Sequence, residues 1–395
     1  MKKASLFACA GLLAVAGVAS AQNQGRQQSH QDQGQQYQGQ QYGQHQGGFA
    51  PTPGMITMMS LGQAGLLGSM FSNEIYGNTQ AKTGASRATI GYIEDSLVGQ
   101  GVPEAFWPDF KDRGTTVVVP MALVKELPSS SGASFIRVKF EPNWARGKSG
   151  LPVQSKGGAR RAELQFLHAP IPTRIFGVGL IYEKSGYDIY FNEDPVGTAA
   201  RSDRKAWGLQ LHYAEAYSQN WALASRAEYQ KGKSDYSVSN SFFRQHNHFD
   251  EDRLYMQAEL IGSYTKQQIG FLPETWLFRP IIGANYQKSR LGDASVSVVG
   301  KKHENYGAVW ARARFEKRQA PGPQWQFMPT FSVGIEREYV NDLDKWLKEP
   351  TYALASAGFG LARAAFRMDV EYNLRKGLKG NRTENVISAS MTYQF

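Results

Sequence analysis

The second part of the chain alternates between apolar and polar residues with a period of two, which is the pattern of β-strands. In its last stretch, Val386–Phe395, one set of alternate positions is Ile, Ala, Met, Tyr and Phe, and the other is Val, Ser, Ser, Thr and Gln. From Ser134 onward this pattern recurs and predicts about twelve strands. They lie near Ser134–Trp144, Arg160–His168, Thr173–Lys184, Arg204–Ala214, Trp221–Lys231, Arg253–Lys266, Thr275–Lys288, Asn305–Lys317, Gln324–Arg337, Tyr352–Arg363, Ala364–Asn373 and Glu384–Phe395.

The connections between these strands are alternately short and long. The short ones are Ala169–Pro172, Glu215–Asn220, Gln267–Glu274, Gln319–Pro323 and a tight turn near Arg363 and Ala364. The long ones are Ala145–Ala159, Ser185–Asp203, Gly232–Asp252, Ser289–Glu304, Glu338–Thr351 and Leu374–Thr383. This asymmetry is typical of up-and-down transmembrane β-barrels. An even number of strands puts both chain ends in the periplasm, on the side of the short turns.

A soluble β-sandwich would show the same alternation, so other features decide between the two folds. The polar faces carry charges of both signs at strand centres, which suits a confined interior where opposite charges pair. The composition, 41% hydrophobic, is sufficient because a barrel needs apolar side chains only at alternate positions. Aromatic residues cluster near strand ends, as they do at membrane interfaces. These are Trp207, Tyr213, Trp221, Tyr229, Trp276, Tyr286, Trp325, Tyr372 and Tyr393. The sequence therefore predicts an all-β fold, a transmembrane antiparallel up-and-down β-barrel over residues 134–395.

The polar faces also predict which side chains line the lumen. These are Arg137, Lys139, Glu141, Arg226, Glu228, Glu259, Arg279, Arg312, Arg314, Glu316, Arg367, Asp369 and Glu371. The two signs nearly balance, whereas an ion-selective pore carries an excess of one sign. The sequence therefore predicts a narrow lumen lined by charged residues of both signs. Excess positive charge lies in the predicted loops, where it would either bind lipopolysaccharide phosphates or simply be solvated. The residues concerned are Arg146, Lys148, Lys156, Arg160, Arg161, Arg375, Lys376, Lys379 and Arg382.

The N-terminal third divides into three parts. Residues 1–21 read as a cleaved signal peptide, with Cys9 inside its apolar core, so the mature chain has no cysteine for disulfides or thiolate chemistry. Gln22–Gly48 is rich in Gln and Gly and is predicted to be disordered. Residues 49–133 are a partly helical pre-barrel or plug segment. Met55–Phe71 is a candidate helix there, as is Ile90–Phe110. Thr115–Leu127 is strand-like, but Pro120 interrupts it, so it is placed outside the barrel.

Charge and motifs exclude several functions. The net charge of +10 would suit nucleic acid, but an exported chain meets anionic lipid instead, so no nucleic acid is expected. His246 and His248 have the spacing of metal ligands, but such loops are usually only solvated, and no metal is predicted. A lipid hydrolase would need a Ser–His pair, and neither His168 nor His212 has a recognisable partner. No catalytic motif or cofactor fingerprint is present. We therefore predict a non-enzymatic protein without a cofactor.

Residues 134–395 resemble a bacterial outer-membrane β-barrel of the autotransporter-translocator or porin-like class. The signal peptide, the paired strands and the ending Ser390–Phe395 carry the resemblance. It implies a Gram-negative outer-membrane location and a monomer in contact with outer-membrane lipid and lipopolysaccharide. It also implies assembly by the barrel-assembly machinery, with Tyr393 and Phe395 in the C-terminal assembly signal. An autotransporter normally carries a long passenger, whereas only about 110 mature residues precede this barrel.

Two functional hypotheses follow from these observations. The leading one is a passive, porin-like channel for small solutes whose selectivity is set by the lumen charges. The alternative is a non-conducting barrel that secretes or anchors the N-terminal segment at the cell surface, as autotransporters do.

Overall fold

One helix and fourteen strands make up the part of the chain that this computed structural model describes, namely residues 52–63, 112–147, 153–191, 199–239, 241, 244–292, 303–317, 323–342 and 349–395. The helix, α1, is Pro53–Gln63. The strands are β1 Asp112–Val118, β2 Met121–Leu127, β3 Ala133–Gly147, β4 Val153–Ile171, β5 Arg174–Phe191, β6 Ala199–Ala216, β7 Trp221–Ser239, β8 Arg244–Gly262, β9 Trp276–Leu291, β10 His303–Lys317, β11 Gln326–Asn341, β12 Thr351–Arg363, β13 Phe366–Gly377 and β14 Arg382–Gln394. None of the helical residues described forms a segment long and apolar enough to cross a bilayer. The predicted signal peptide, the Gln-rich tract and the helix predicted at Ile90–Phe110 lie outside the described residues.

The strands close into a barrel. Each of β3 to β13 pairs antiparallel with the next strand in the sequence. Between β3 and β14 lie β1 and β2, which are two halves of one strand, since Val118 pairs with Ser388 and Met121 with Met391 in the same register. This split strand is parallel to β14 and antiparallel to β3. The predicted all-β barrel of about twelve strands is confirmed, and its closed form has 13 strand positions.

The placement of Thr115–Leu127 outside the barrel is wrong, because this segment forms most of the split strand. Pro120 is tolerated because it falls at the break between β1 and β2, where its missing N–H removes no ladder bond. The Pro120 carbonyl still accepts a hydrogen bond from the Met391 amide at 2.8 Å, and the Val119 amide donates to the Pro142 carbonyl at 3.0 Å. The break is therefore closed on both sides by backbone hydrogen bonds.

The connections lie alternately at the two ends of the barrel. We call the upper mouth the end with the connections that follow β3, β5, β7, β9, β11 and β13, and the lower mouth the end with those that follow β2, β4, β6, β8, β10 and β12. Much of the predicted long loop Ser185–Asp203 is strand, because β5 continues to Phe191 and β6 begins at Ala199. The two mouths therefore differ mainly in that some strands extend beyond the rest of the wall at the upper mouth. Strands β4–β8 have 18 or 19 residues and overhang the upper mouth, while β12–β14 have 12 or 13.

The chain joins the barrel at one mouth and ends at the other. Asp112, the first residue of β1, pairs with Arg382, the first residue of β14, at the upper mouth. Phe395 follows the other end of β14 at the lower mouth, where its amide donates to the Val124 carbonyl at 3.0 Å. The sheet thus begins at the upper mouth and ends at the lower mouth, and the N-terminal end of the chain lies outside the described residues. The parallel split strand reverses the side on which the sheet begins.

Helix α1 packs into an apolar cluster at the lower mouth. The helix begins at Pro53, before its predicted start at Met55. Pro53 lies in the first turn, and the Thr52 hydroxyl accepts a hydrogen bond from the Met55 amide at 3.2 Å. Leu61 is fully buried and Met58 packs beside it. The cluster is built from inward-facing side chains of strand ends: Val124, Ala133, Phe135, Leu167, Ala169, Ile175, Ala214, Ala222, Ala224, Ile261 and Ile281. The small residues leave room for the helix. The predicted helix at Met55–Phe71 is confirmed as far as Gln63.

Candidate functional site

Large apolar side chains on the outer face of the barrel are exposed to its surroundings. Leu180, Leu209 and Leu211 are each more than half exposed, and Leu180 lies opposite Leu209 on the neighbouring strand. Aromatic rings border this band towards the upper mouth, where the Tyr182 and Trp207 ring centroids are 4.4 Å apart. A continuous apolar band with an aromatic border is the surface that lipid tails contact.

The inner face of β3–β8 carries a network of buried ion pairs centred on Arg161. Its Nε donates to Glu163 at 2.5 Å, and its two terminal nitrogens donate to Glu228 at 3.0 and 2.8 Å. Arg137 reaches Glu163 at 3.1 Å, and Arg226 reaches Glu228 at 3.3 Å. Because β5 and β6 lie between β4 and β7, Arg161 and Glu228 meet across the interior rather than along the wall.

A second centre of the same network lies closer to the upper mouth. Arg204 donates to Glu183 at 2.8 Å, to Glu251 at 2.7 Å and to Gln230 at 3.0 Å. Arg253 reaches Glu251 at 2.9 Å. One guanidinium thus joins side chains from four strands, β5 to β8, and its planar fork suits this multiple contact.

The inner face of β9–β14 carries a separate network. Arg375 reaches Glu336 at 2.9 Å, Glu338 at 2.5 Å and Glu384 at 3.2 Å. Its guanidinium also lies 3.2 Å from the centre of the Tyr352 ring. These partners come from β11, β12 and β14, so the contacts link the strands on either side of β13.

Arg314 is the centre of a further group of ion pairs on the same inner face. It contacts Glu316 at 3.3 Å and Glu371 at 3.1 Å, and Glu316 also accepts from Arg279. Charged groups buried from water are stable only when they are paired and hydrogen-bonded. With acids and bases interleaved in this way, the buried charges of the interior are paired with one another.

Most of the predicted lumen residues lie on the inner faces and are buried. Glu371 is half-buried, and Arg367 and Asp369 are about one third exposed and pair with each other at 2.6 Å near the lower mouth. Glu259 accepts a hydrogen bond from the Trp310 indole nitrogen at 2.9 Å. The buried ones are Arg137, Lys139, Glu141, Arg226, Glu228, Glu259, Arg279, Arg312, Arg314 and Glu316.

Three cations assigned to the predicted loops lie instead in the interior. Arg161, Arg375 and Arg382 are 4%, 2% and 0% exposed, so they are not free for lipopolysaccharide phosphates. A sequence signal was present for the first two, because Arg161 continues the alternation towards Glu163 and Arg375 continues it from Glu371. Arg161 lies inside the predicted strand Arg160–His168, whereas β13 and β14 extend beyond their predicted ends to include Arg375 and Arg382. Of the other loop cations, Arg146, Lys156, Arg160, Lys376 and Lys379 are exposed and Lys148 lies outside the described residues.

The terminal aromatics lie at the closing seam of the barrel. Tyr393 and Phe395 are 46% and 59% exposed, and their rings stack with centroids 6.1 Å apart. The Lys125 ammonium lies 5.5 Å from the centre of the Phe395 ring. The last residue thus contacts the split strand through both its backbone and its ring.

The histidine candidates lead to no catalytic or metal centre among the described residues. His168 Nδ1 lies 2.9 Å from the Ser134 hydroxyl, a partner that the sequence did not reveal, but no carboxylate contacts His168 in the described part of the chain. His212 faces the interior opposite Arg226. No group of three potential metal ligands occurs within the described ranges.

The upper hairpins carry exposed polar contacts instead. His248 lies 2.6 Å from Asp235, and His246 lies 3.8 Å from the same carboxylate. Arg201 donates to Asp203 at 2.6 Å, and this hydrogen bond raises the pKa of the Arg201 guanidinium. These groups are accessible to water, so such pairs contribute little to stability.

Comparison with known families identifies the fold class more closely. A family model described as the autotransporter beta-domain matches residues 168–391, which is more than half of the chain. The chain belongs to the autotransporter beta-domain family. Barrels of the autotransporter beta-domain family sit in the bacterial outer membrane and are translocators rather than catalytic domains. The predicted resemblance to outer-membrane barrels is thereby confirmed.

Solved structures of autotransporter barrels resemble the chain at low sequence identity. The transport unit of AIDA-I from Escherichia coli has 12% identity and a TM-score of 0.44, with 78% of this chain and 98% of that chain covered. The beta domain of the Bordetella autotransporter BrkA has 12% identity and a TM-score of 0.42, with 60% and 88% covered. The NalP translocator domain from Neisseria meningitidis has 14% identity and a TM-score of 0.38, with 64% and 85% covered. No curated protein sequence matches the chain.

Proposed function

We propose that this outer-membrane barrel carries part of its own N-terminal segment across the membrane and holds it at the cell surface. The observation that supports this most directly is the position of two residues. Leu61 packs among strand ends at the lower mouth, whereas Asp112 begins β1 at the upper mouth. The last described part of the helix and the first residue of the barrel wall therefore lie at opposite ends of the barrel.

The overhanging strands support an orientation with the upper mouth outside the cell. Outer-membrane barrels have short periplasmic turns and longer external hairpins. The hairpins β5–β6 and β7–β8 rise above the rest of the wall at the upper mouth, while the lower mouth holds two-residue turns such as 172–173 and 364–365. In this orientation Asp112 begins the wall on the outer side, and Leu61 and Phe395 lie on the periplasmic side.

Protease accessibility on intact cells tests this proposal. A specific protease site inserted after Gln100 is expected to be cut by added protease without disrupting the outer membrane. The same site inserted in the lower-mouth turn, after Ser130, is the matched control, and we expect cleavage there only after the membrane is permeabilised. Protection of the site after Gln100 on intact cells would contradict the proposal. A further site in the Gln-rich tract, Gln22–Gly48, measures how far the displayed segment extends.

The passive-channel hypothesis has less support. Ion pairs such as Arg161–Glu228 cross the interior, and helix α1 occupies the lower mouth through Leu61. An open pore needs a water-filled path between its charged rings. We therefore expect the purified protein to give no sustained openings in planar bilayers. Steady ohmic conductance of the unmodified protein would show that water does pass between these side chains.

A further inference from the structure

Four cations lie in one row on the outer face, directly opposite one another on adjacent strands. Arg160 of β4 pairs in register with Lys184 of β5, Lys184 with Lys205 of β6, and Lys205 with Lys233 of β7. All four side chains are exposed. We refer to Arg160, Lys184, Lys205 and Lys233 as the cation row.

The cation row is electrostatically unfavourable by itself. Neighbouring strands are about 4.8 Å apart, and like charges directly opposite each other destabilise a sheet. Within the described residues, none of the four forms an ion pair with a carboxylate. Asp250 lies opposite the last of them, Lys233, on β8, but no carboxylate lies between Arg160, Lys184 and Lys205.

Two further acids near the cation row have other partners. Asp203 and Asp235 lie opposite each other one outward-facing step above the row. Asp203 accepts from Arg201 at 2.6 Å, and Asp235 lies 2.6 Å from His248. The row therefore has free capacity for an external anion.

The depth of the row indicates which anion it meets. One outward-facing step towards the lipid, the same strands carry Tyr182 and Trp207, whose rings pack together. The next step carries Leu180 and Leu209, which are exposed. Two residues along a strand rise by about 6–7 Å, less the effect of tilt. Because the aromatic border marks the membrane interface, the cations lie at the level of the lipid head groups.

We propose that the cation row binds the phosphate groups of outer-leaflet lipid, with one phosphorylated head group bridging two or more of its members. The Arg160 guanidinium offers a planar fork that matches two phosphate oxygens, and the lysines offer mobile point charges. A phosphate between two neighbouring cations replaces their mutual repulsion by attraction. The proposal rests on the orientation that places the upper mouth outside the cell. It does not rest on display of the N-terminal segment, because the row lies on the wall rather than in the lumen.

The test compares thermal unfolding of the full chain in vesicles of two compositions. One set is net-neutral phosphatidylcholine, and the other contains lipid A as well. For the unmodified protein we expect lipid A to raise the unfolding temperature. The Lys184→Gln, Lys205→Gln double variant removes two of the four cations, so we expect it to lose about half of that rise or more. In net-neutral detergent the same variant should be at least as stable as the unmodified protein, because repulsion has been relieved.

Two further variants and one added anion distinguish the site from general effects. Lys376→Gln removes an exposed upper-mouth cation that lies opposite Ala353 and Thr383, so we expect it to keep the full rise. The Lys184→Arg, Lys205→Arg variant keeps the charge and should also keep it. Inorganic phosphate added to protein in detergent should stabilise far less than lipid A, since the proposed ligand is the lipid. The proposal would be overturned if lipid A raised the unfolding temperature of the double variant as much as that of the unmodified protein. It would also be overturned if Lys376→Gln lost as much of this rise as the double variant.

Discussion

The Arg161→Met variant is expected to lose about 3–5 kcal/mol of the free energy of unfolding, which is the usual cost of breaking a buried ion pair by removing one partner. Arg161 contacts Glu163 at 2.5 Å, Glu228 at 2.8 Å and Glu183 at 3.7 Å. Its removal leaves three carboxylates close together in the interior without their common cation. The methionine fills a similar volume, so the loss reports charge rather than a cavity.

Arg201→Met is the matched control for this experiment. Arg201, like Arg161, contacts an acid two residues further along its own strand, at 2.6 Å. Its side chain is 60% exposed, however, and that of Asp203 is 40% exposed. Exposed pairs contribute about 0–1 kcal/mol, so the control should unfold almost as the unmodified protein does.

Denaturant unfolding in lipid vesicles, followed by tryptophan fluorescence, measures both variants. If both variants lost the same free energy of unfolding, the interior would be as accessible to water as the surface, which is the condition for an open channel. A second arm, Arg161→Met combined with Glu228→Gln, should recover part of the loss, since one uncompensated charge is removed. The comparison therefore separates a sealed interior from a water-filled one.

The alternation of residues was a sufficient guide to the inner faces of the strands. A period of two is imposed by the backbone, so Arg314 and Glu316 share a face wherever the strand lies. The alternation could not predict which residues pair with each other across the interior. That Arg161 meets Glu228 depends on the curvature of the closed sheet and on strand register, and neither is encoded in any short stretch of sequence.

Two misplacements have the same physical origin. Pro120 argues against a central strand only if its nitrogen must donate, and the break between β1 and β2 removes that need. Arg375 lies beyond the predicted end of its strand, yet its guanidinium continues the buried face. Strand ends depend on whether a neighbouring strand is present to pair with, which local propensity does not report. The lower-mouth cluster was missed for a related reason, because small residues such as Ala222 and Ala224 carry little hydrophobic signal until a helix packs on them.

The strongest test concerns the closure of the barrel between β14 and β3. Cross-linking distinguishes a barrel closed through the split strand from one in which β3 pairs directly with β14. In the Val117→Cys, Ile387→Cys variant the two cysteines occupy paired positions of β1 and β14. We expect a disulfide to form in the membrane under mild oxidation. The natural chain has one cysteine, Cys9, so no other residue after that position competes for the introduced thiols.

The Phe140→Cys, Met391→Cys variant is the complementary arm. Phe140 and Met391 both pair with Met121, one on each side of the split strand. Two strand spacings, about 9.6 Å, separate them, which is beyond the roughly 7 Å that a disulfide can bridge. They would become neighbours only if β3 paired directly with β14 in a barrel of twelve strands.

Cross-linking of the Phe140→Cys, Met391→Cys pair, with none at Val117 and Ile387, would show that the split strand is not part of the wall. It would also remove the reason for placing Asp112 at the upper mouth. Display of the N-terminal segment would then lose its structural basis, whereas the cation row, which lies on β4–β7, would be unaffected.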